Sequence, residues 1–321
     1  MWKTTVRRVL VLIPQLVILS LMIFIFATFM PGDALTGQID PSKVRPERVE
    51  ELRVKWGFYD PWYVKYGRWI SNAFKGDFGN STAYQVPVAM VIGERANNTF
   101  WLNLLTLVLM YLIGIPLGIV SGRFHDRKAD KVITTYTYMM FSIPTVILAL
   151  LSIYFFGFRL RLFPIGLTVD TGAARGSLDY FTSRLYHMIL PALTGAVLYN
   201  VWIVQYLRSE IVEYEKSDFV TTARSKGVPG SVIYSRHITR NALIPVASGT
   251  GYQIAGLLSG SIFIERVFTY PGMGRLFIDS ILKRDYAVVN ALVIFFAILI
   301  VAGTLLSDII ISAVDPRIRI K

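Results

Sequence analysis

Residues 100–121 read FWLNLLTLVLMYLIGIPLGIVS. These 22 residues include no charged side chain. A helix needs about 20 such residues to cross a hydrocarbon core roughly 30 Å thick. Five other windows carry the same signature, giving six expected spans at about 9–30, 100–121, 132–157, 188–206, 242–264 and 286–310. Soluble domains average about 45–50% apolar residues. Here 54% of 321 residues are hydrophobic, concentrated in these runs. The first run follows MWKTTVRR and extends from Val9 to Met30. It is longer than the roughly 7–15-residue core of a signal peptide and lacks a small-x-small cleavage site, so it is expected to be a transmembrane helix.

The chain is basic, with 33 Lys and Arg against 21 Asp and Glu. Nucleic-acid binding would need these charges on one folded patch. They instead follow the membrane rule that Lys and Arg gather in cytoplasmic loops. Lys3, Arg7 and Arg8 precede the first span, and Arg123, Arg127, Lys128 and Lys131 follow the second. Arg208, Lys216, Arg224, Lys226, Arg236 and Arg240 follow the fourth, and Arg317, Arg319 and Lys321 end the chain. Both termini and the 208–241 loop are therefore expected in the cytoplasm. Among the titratable residues of the spans, Asp308 stands out. Proton- and sodium-coupled carriers usually hold ionisable groups inside their spans, so a transported solute would draw its energy from a partner.

The long loop 31–98 carries Trp62, Tyr66, Trp69, Ile70 and Ala73 at helical spacing. That stripe suits an amphipathic helix at the membrane interface, and equally a small loop core packed on the spans. Pro14, Pro116, Pro144, Pro191 and Pro245 fall in or at the ends of spans, where prolines kink helices. Span five is rich in small residues, with Gly256 and Gly260 forming a GxxxG helix-packing signal. Polar residues there, Ser248, Thr250, Gln253 and Ser259, are candidates for lining a path. Cysteine is absent, no GxxxxGK[ST], GxSxG or HExxH occurs, and His125, His187 and His237 lack metal-ligand spacing. Neither catalysis nor a metal site is expected.

Between spans four and five lies 221-TTARSKGVPGSVIYSRHITRNALIP-245. Gly227 is suited to end a helix in a left-handed conformation, and Pro229 to the first turn of the next. Phe219, Val220 and Ala223 would share one face before the break, and Val232, Ile233, Tyr234 and His237 another after it. A short helix presenting an apolar face to a groove is a recurrent docking mode.

This stretch resembles the cytoplasmic "EAA" loop of bacterial ATP-binding-cassette import permeases, in the version of the oligopeptide/dipeptide permeases. The spacing Ala223-x3-Gly227, the pair Arg236-His237, the run Arg240-Asn241-Ala242 and Pro245 carry the likeness. So do Pro31-Gly32-Asp33, Gly76-Asp77-Phe78-Gly79-Asn80-Ser81, Pro87-Val88, Ser142-Ile143-Pro144, Leu190-Pro191-Ala192-Leu193, Glu265-Arg266-Val267-Phe268, Pro271-Gly272-Met273-Gly274 and Asp315-Pro316-Arg317. Thr221-Thr222 stand where the family's acidic residue falls, and Arg240 where many permeases place proline.

The resemblance implies an all-α membrane protein with six transmembrane helices in the type I ABC-importer permease fold. Its parts would be a tail and first helix (1–30), an extracytoplasmic loop (31–98), a permease core (99–314) and a cytoplasmic tail (315–321). Thr222, Ala223, Arg224, Lys226, Gly227, Arg236, His237, Arg240 and Asn241 would form the ATPase-coupling loop. Implied partners are a second homologous permease, two ATPase subunits that bind the ATP and Mg, an extracytoplasmic peptide-binding protein, and the bilayer of a bacterial cell membrane. This chain would hold no cofactor and bind no nucleic acid. A nickel or other small-solute permease of the same family, or a passive channel or secondary carrier, are the competing expectations.

Overall fold

The computed structural model describes residues 59–174 and 176–314, the segment 46–55, and helical pieces between 10 and 25. Pro31-Gly32-Asp33 and Asp315-Pro316-Arg317 lie outside the described residues, as do the basic residues at both ends. Among the described residues the fold is helical, with a single isolated bridge between Asn80 and Pro87. In chain order the helices are α1 (Pro46–Lys55), α2 (Trp62–Phe74), α3 (Val88–Arg123), α4 (Lys128–Ser142), α5 (Thr145–Ser152), α6 (Leu178–Glu215), α7 (Asp218–Ser225), α8 (Gly230–Val232), α9 (Thr239–Ala255), α10 (Ile262–Val267), α11 (Met273–Leu282) and α12 (Tyr286–Val314).

Three of them, α3, α6 and α12, are long and apolar enough to cross a membrane. The expected third span is not one straight helix. At Ile143–Pro144 the chain bends by 104° between α4 and the helix formed by α5 and the π-helical Ile153–Arg159. Proline disfavours helical geometry in the residue before it, and Ile143 is extended, with ψ 122°. The expected fifth span is also interrupted. α9 gives way to a short 3-10 turn at Gly256–Leu258, and Gly260 then turns left-handed with φ +76°. The expected second and fourth spans are longer than their apolar cores, because α3 and α6 carry polar turns beyond them.

The centre of the fold is the crossing of α3 and α6. Gly114, Gly118 and Gly122 recur every fourth residue on one face of α3, opposite Ile203, Leu207 and Ile211 of α6. A methyl on Gly118 would sit 2.8 Å from Leu207 Cβ, and one on Gly122 2.7 Å from Ile211 Cβ. Lipid tails are as apolar as leucine, so membrane helices associate through close packing of this kind. Gly118→Val is expected to force α3 and α6 apart at a cost of about 1–3 kcal/mol. A lower melting temperature of the purified protein measures it; an unchanged one would show that the seam yields.

The GxxxG pair of span five plays a different part from the one its spacing suggested. An added Cβ at Gly256 would meet only Ser259 Oγ, at 3.9 Å, and Gly260 lies beyond the helix end beside Glu265. α9 instead meets α12 through Gly251, whose added Cβ would lie 2.5 Å from the Ser307 backbone, and through Gly303 of α12 against Ala255.

The aromatic stripe of the long loop forms α2. Its Tyr66 and Trp69 rings lie 5.5 Å and 5.8 Å from Phe24, and the Tyr66 hydroxyl is 2.7 Å from Ser20 Oγ. The stripe therefore packs on the first apolar segment, while Trp62 remains exposed. Gly76–Ser81 forms a tight turn in which Gly79 N–H donates to Asp77, and Ser81 Oγ donates to the buried Asp285 ahead of α12.

Candidate functional site

Ala223 and Gly227 meet in a helix stop. Gly227 has φ +74°. Its N–H donates to Arg224 O at 3.0 Å, and Val228 N–H donates to Ala223 O at 3.1 Å. This 6→1 and 5→2 pair is the Schellman motif, in which a left-handed residue at C′ satisfies the last carbonyls and the following side chain packs back on the helix. Val228 packs with Ala223 in the same apolar cluster. The spacing of Ala, three residues and Gly thus has a local cause: the left-handed position falls four places after the residue whose carbonyl is bonded. No atom lies within 4 Å of an added Cβ at Gly227. Gly227→Ala should therefore cost only the left-handed backbone penalty, about 1–2 kcal/mol. A larger loss of melting stability would reveal a contact that the geometry does not contain.

The faces differ from expectation. Val220 and Ala223 do not point outward; with Ile233 and Ile238 they are buried against Leu207 and Ile211 of α6. Only Phe219 of the predicted trio is exposed. After the break Val232 is exposed, Ile233 buried, and Tyr234 and His237 half-buried, so these four share no face. Pro229 occupies the N-cap position, one residue ahead of the first turn. The chain then passes through a π-helical segment, Ile233–Ile238, into α9. Bonds from i to i+5 insert one extra residue. That residue lets Ile233, Ile238, Ala242 and Val246 all be buried although the first interval is five and the others four. α9 runs on through Pro245. The two helical limbs are therefore welded to the bundle, and what projects is their outer edge: Phe219, Thr222, Lys226, Val232, Arg236 and Arg240.

Side chains around this edge are ordered by charge. Arg224 Nη2 lies 3.2 Å from Glu215 Oε1 at the end of α6. Burial and the neighbouring Glu215 carboxylate push the Tyr234 phenol up to about 12. The Arg123 guanidinium sits 5.3 Å from the Tyr234 ring centre, a cation–π contact tying the end of α3 to the same corner. Asn241 Nδ2 donates to His237 O at 2.7 Å, so its amide serves the helix rather than the surface. Lys226, Arg236 and Arg240 make no ion pair among the described residues.

Two polar centres escaped the sequence reading. Asp130, 2% exposed, receives Arg208 through Nε at 2.7 Å and Nη2 at 2.9 Å, together with Ser121 Oγ and the Asp126 N–H. The clamp joins α3, α4 and α6 just before α7. Its signal was a pair of acidic residues, Asp126 and Asp130, in the otherwise basic loop after span two. His125 and Asp126 bring ligand atoms within 4.8 Å of those of Asp130, but the Asp130 oxygens are engaged by Arg208. At the opposite end, Glu265 of α10 is fully buried. Thr99 Oγ1 of α3 donates to Glu265 Oε1 at 2.9 Å, and Arg275 N–H of α11 donates to Oε2 at 3.0 Å. Gly260, Gly272 and Gly274 surround the carboxylate, with no room for a Cβ.

Between these ends a cavity of about 590 Å³ lies among α3, α6 and the α9–α10 junction. Gln253 and Ser259 line it. Ser248 and Thr250 do not. Thr250 bonds Tyr111 on the far side of α9, and Ser248 bonds Pro245 O while its own carbonyl receives Ser307.

Apolar helices crossing through glycines, with a basic helical corner held out at one end, define a multi-pass helical membrane protein. Its fold resembles a chain of the MetNI methionine ABC transporter in an inward-facing conformation, with TM-score 0.57 and 14% identity over 70% of this chain and 97% of that one. Residues 114–320 match the family of binding-protein-dependent transport system inner membrane components, and the chain belongs to that family. It is 35% identical to the oligopeptide transport system permease protein AppB of Bacillus subtilis, over 98% of both chains. It is 33% identical to the glutathione transport system permease protein GsiC of Escherichia coli K12, over the full length of both. Membership makes the chain a non-catalytic membrane component and implies an ATPase and a binding protein as partners.

Proposed function

We propose that this chain is a permease subunit of an ATP-driven, binding-protein-dependent importer of oligopeptides or dipeptides. It forms half of the pore beside a second homologous permease, in a bacterial cell membrane, with both termini and the 208–241 loop in the cytoplasm. ATP and Mg reside in two partner ATPase subunits. The reading is carried by one feature: the Ala223–Gly227 stop holds a basic, partly apolar edge away from the end of α6, on a chain that aligns end to end with peptide permeases.

ATP closes the ATPase pair, whose grooves grip the edge formed by Phe219, Thr222 and Lys226. Because Val220, Ala223 and Ile233 are buried in the bundle core, movement of the edge moves α3, α6 and α9 with it. Thr222 and Lys226 are exposed, so Thr222→Arg with Lys226→Glu should leave the melting temperature unchanged. The same pair should abolish copurification of the ATPase and peptide-stimulated ATP hydrolysis. Normal stimulation in that variant would refute the coupling role. Ala223→Asp is a poorer probe, since it buries an unpaired carboxylate and unfolds the corner itself. Liposomes holding this chain alone should accumulate no tri-alanine, whereas the complete importer should. Accumulation by the lone chain would establish a channel or secondary carrier instead.

A further inference from the structure

The cavity at the α9–α10 junction has a chemistry of its own. Its volume, about 590 Å³, falls within the roughly 300–1,000 Å³ of small-ligand clefts. No Lys, Arg, Asp or Glu lines it. Its polar groups are amides and hydroxyls. Gln253 makes no hydrogen bond among the described residues, so both ends of its amide are free. Asn103 donates through Nδ2 to Leu257 O, which leaves its side-chain carbonyl available. The aromatic surface comes from Trp202, from Tyr252, which is more than half exposed, and from Phe141 of α4. Tyr199 is held by a 2.9 Å bond to Ser261 Oγ, which fixes the cavity wall where α9 ends.

We propose that this cavity is a substrate subsite for the uncharged body of a peptide. Gln253 and Asn103 meet a peptide unit, and Trp202 and Tyr252 cover an apolar side chain. The inference rests on the reading of the chain as a peptide permease and specifies what its own wall recognises. A primary amide offers two donors and an acceptor, which matches the C=O and N–H of a peptide group whatever the sequence. A charged group placed here would lose its hydration and gain no counter-charge. The wall therefore passes peptide main chain and apolar side chains readily, and leaves charged termini to water or to the opposite half of the pore.

The test uses the complete importer in liposomes, fuelled with ATP and supplied with binding protein saturated with tri-alanine or Ala-Lys-Ala. Tyr252→p-benzoylphenylalanine places a photoreactive ring in the cavity. Illumination during turnover should attach radiolabelled tri-alanine to this chain, and Gln253→Glu should raise the uptake of Ala-Lys-Ala relative to tri-alanine. Crosslinking only to the second permease, at rest and during turnover, would overturn the proposal, because the cavity would then be an interface between subunits. An unchanged uptake ratio in Gln253→Glu would overturn it as well. If the assembled wild-type importer accumulates neither peptide, the peptide-permease reading fails first, and is recognised as such before any variant is compared.

Discussion

Gly272→Ala is expected to lower the melting temperature of the purified protein as severely as removal of Glu265 itself. Gly272 has φ −110° and ψ −172°, extended backbone open to any residue, so alanine brings no conformational strain there. The conflict is steric. Its methyl would lie 2.4 Å from the Glu265 carboxyl carbon and 2.5 Å from each oxygen. Glu265 is fully buried, and both α3 and α11 depend on where its carboxylate sits. Thr99 bonds it from α3, Arg275 N–H from α11, and Thr99 Oγ1 in turn accepts Met273 N–H at 2.7 Å. Displacing the carboxylate leaves buried donors unmatched. Each unsatisfied group costs about 1–3 kcal/mol. A double variant, Gly272→Ala with Glu265→Ala, relieves the clash and should be no worse than Glu265→Ala alone. Strictly additive losses would show that the two residues act independently.

The same carboxylate gives a pH dependence. Burial pushes Glu265 up to about 7, against the pull of the bonds from Arg275, Thr99, Gly274 and Ser261. An unfolded glutamate titrates near 4.5, so between these values the folded chain holds the proton more tightly. Stability linked to this group is then full below the unfolded value and declines as pH rises towards 7. Glu265→Gln, which cannot titrate, should flatten the fall in melting temperature between pH 5 and 7; an equal slope in that variant would place its origin elsewhere.

What could be read without a structure depended on the range of the physics involved. Apolar runs are local, so α3, α6 and α12 were legible from windows of about 20 residues. The Ala223–Gly227 stop was legible because its hydrogen bonds lie within six residues. The burial of Val220, Ala223 and Ile233 was not. A short amphipathic helix looks the same whether its apolar face meets a partner or its own bundle, and only the packing on Leu207 and Ile211 decides. The π-helical Ile233–Ile238 was hidden for a related reason, since its extra residue serves the register of a distant core. Gly256 and Gly260 share the GxxxG spacing with genuine packing pairs, yet the helix ends between them. Ser248 and Thr250 are as polar as Gln253, but helix rotation turns them towards α12 and Tyr111 instead of the cavity. The partners of Glu265 come from positions 99 and 275, and those of Asp130 from 121 and 208, separations over which no sequence pattern signals contact.

Arg208→Leu is expected to be the most damaging change at the opposite end, by about 3–5 kcal/mol. The guanidinium meets both Asp130 oxygens at 2.7 and 2.9 Å, and Asp130 is 2% exposed. Without Arg208 the carboxylate stays buried, with Ser121, Thr134 and the Asp126 N–H as donors but no counter-charge. Lysine keeps the charge but cannot reproduce the two-pronged bond, so Arg208→Lys should fall between leucine and the wild type. The pair as a whole is a different matter from either half. Replacing both members of a buried ion pair by apolar residues is often neutral or stabilising, so Asp130→Leu with Arg208→Leu should recover most of the melting temperature lost by Arg208→Leu. Recovery of stability need not restore transport. The clamp fixes α4 to the last turns of α6, directly ahead of the α7 edge, with a geometry that an apolar contact does not impose. The recovered double variant should therefore hydrolyse ATP with less peptide moved per ATP in the assembled importer. Full coupling in that variant would reduce the clamp to a stabilising contact, and a double variant as unstable as Arg208→Leu would show that the site requires its charges to fold.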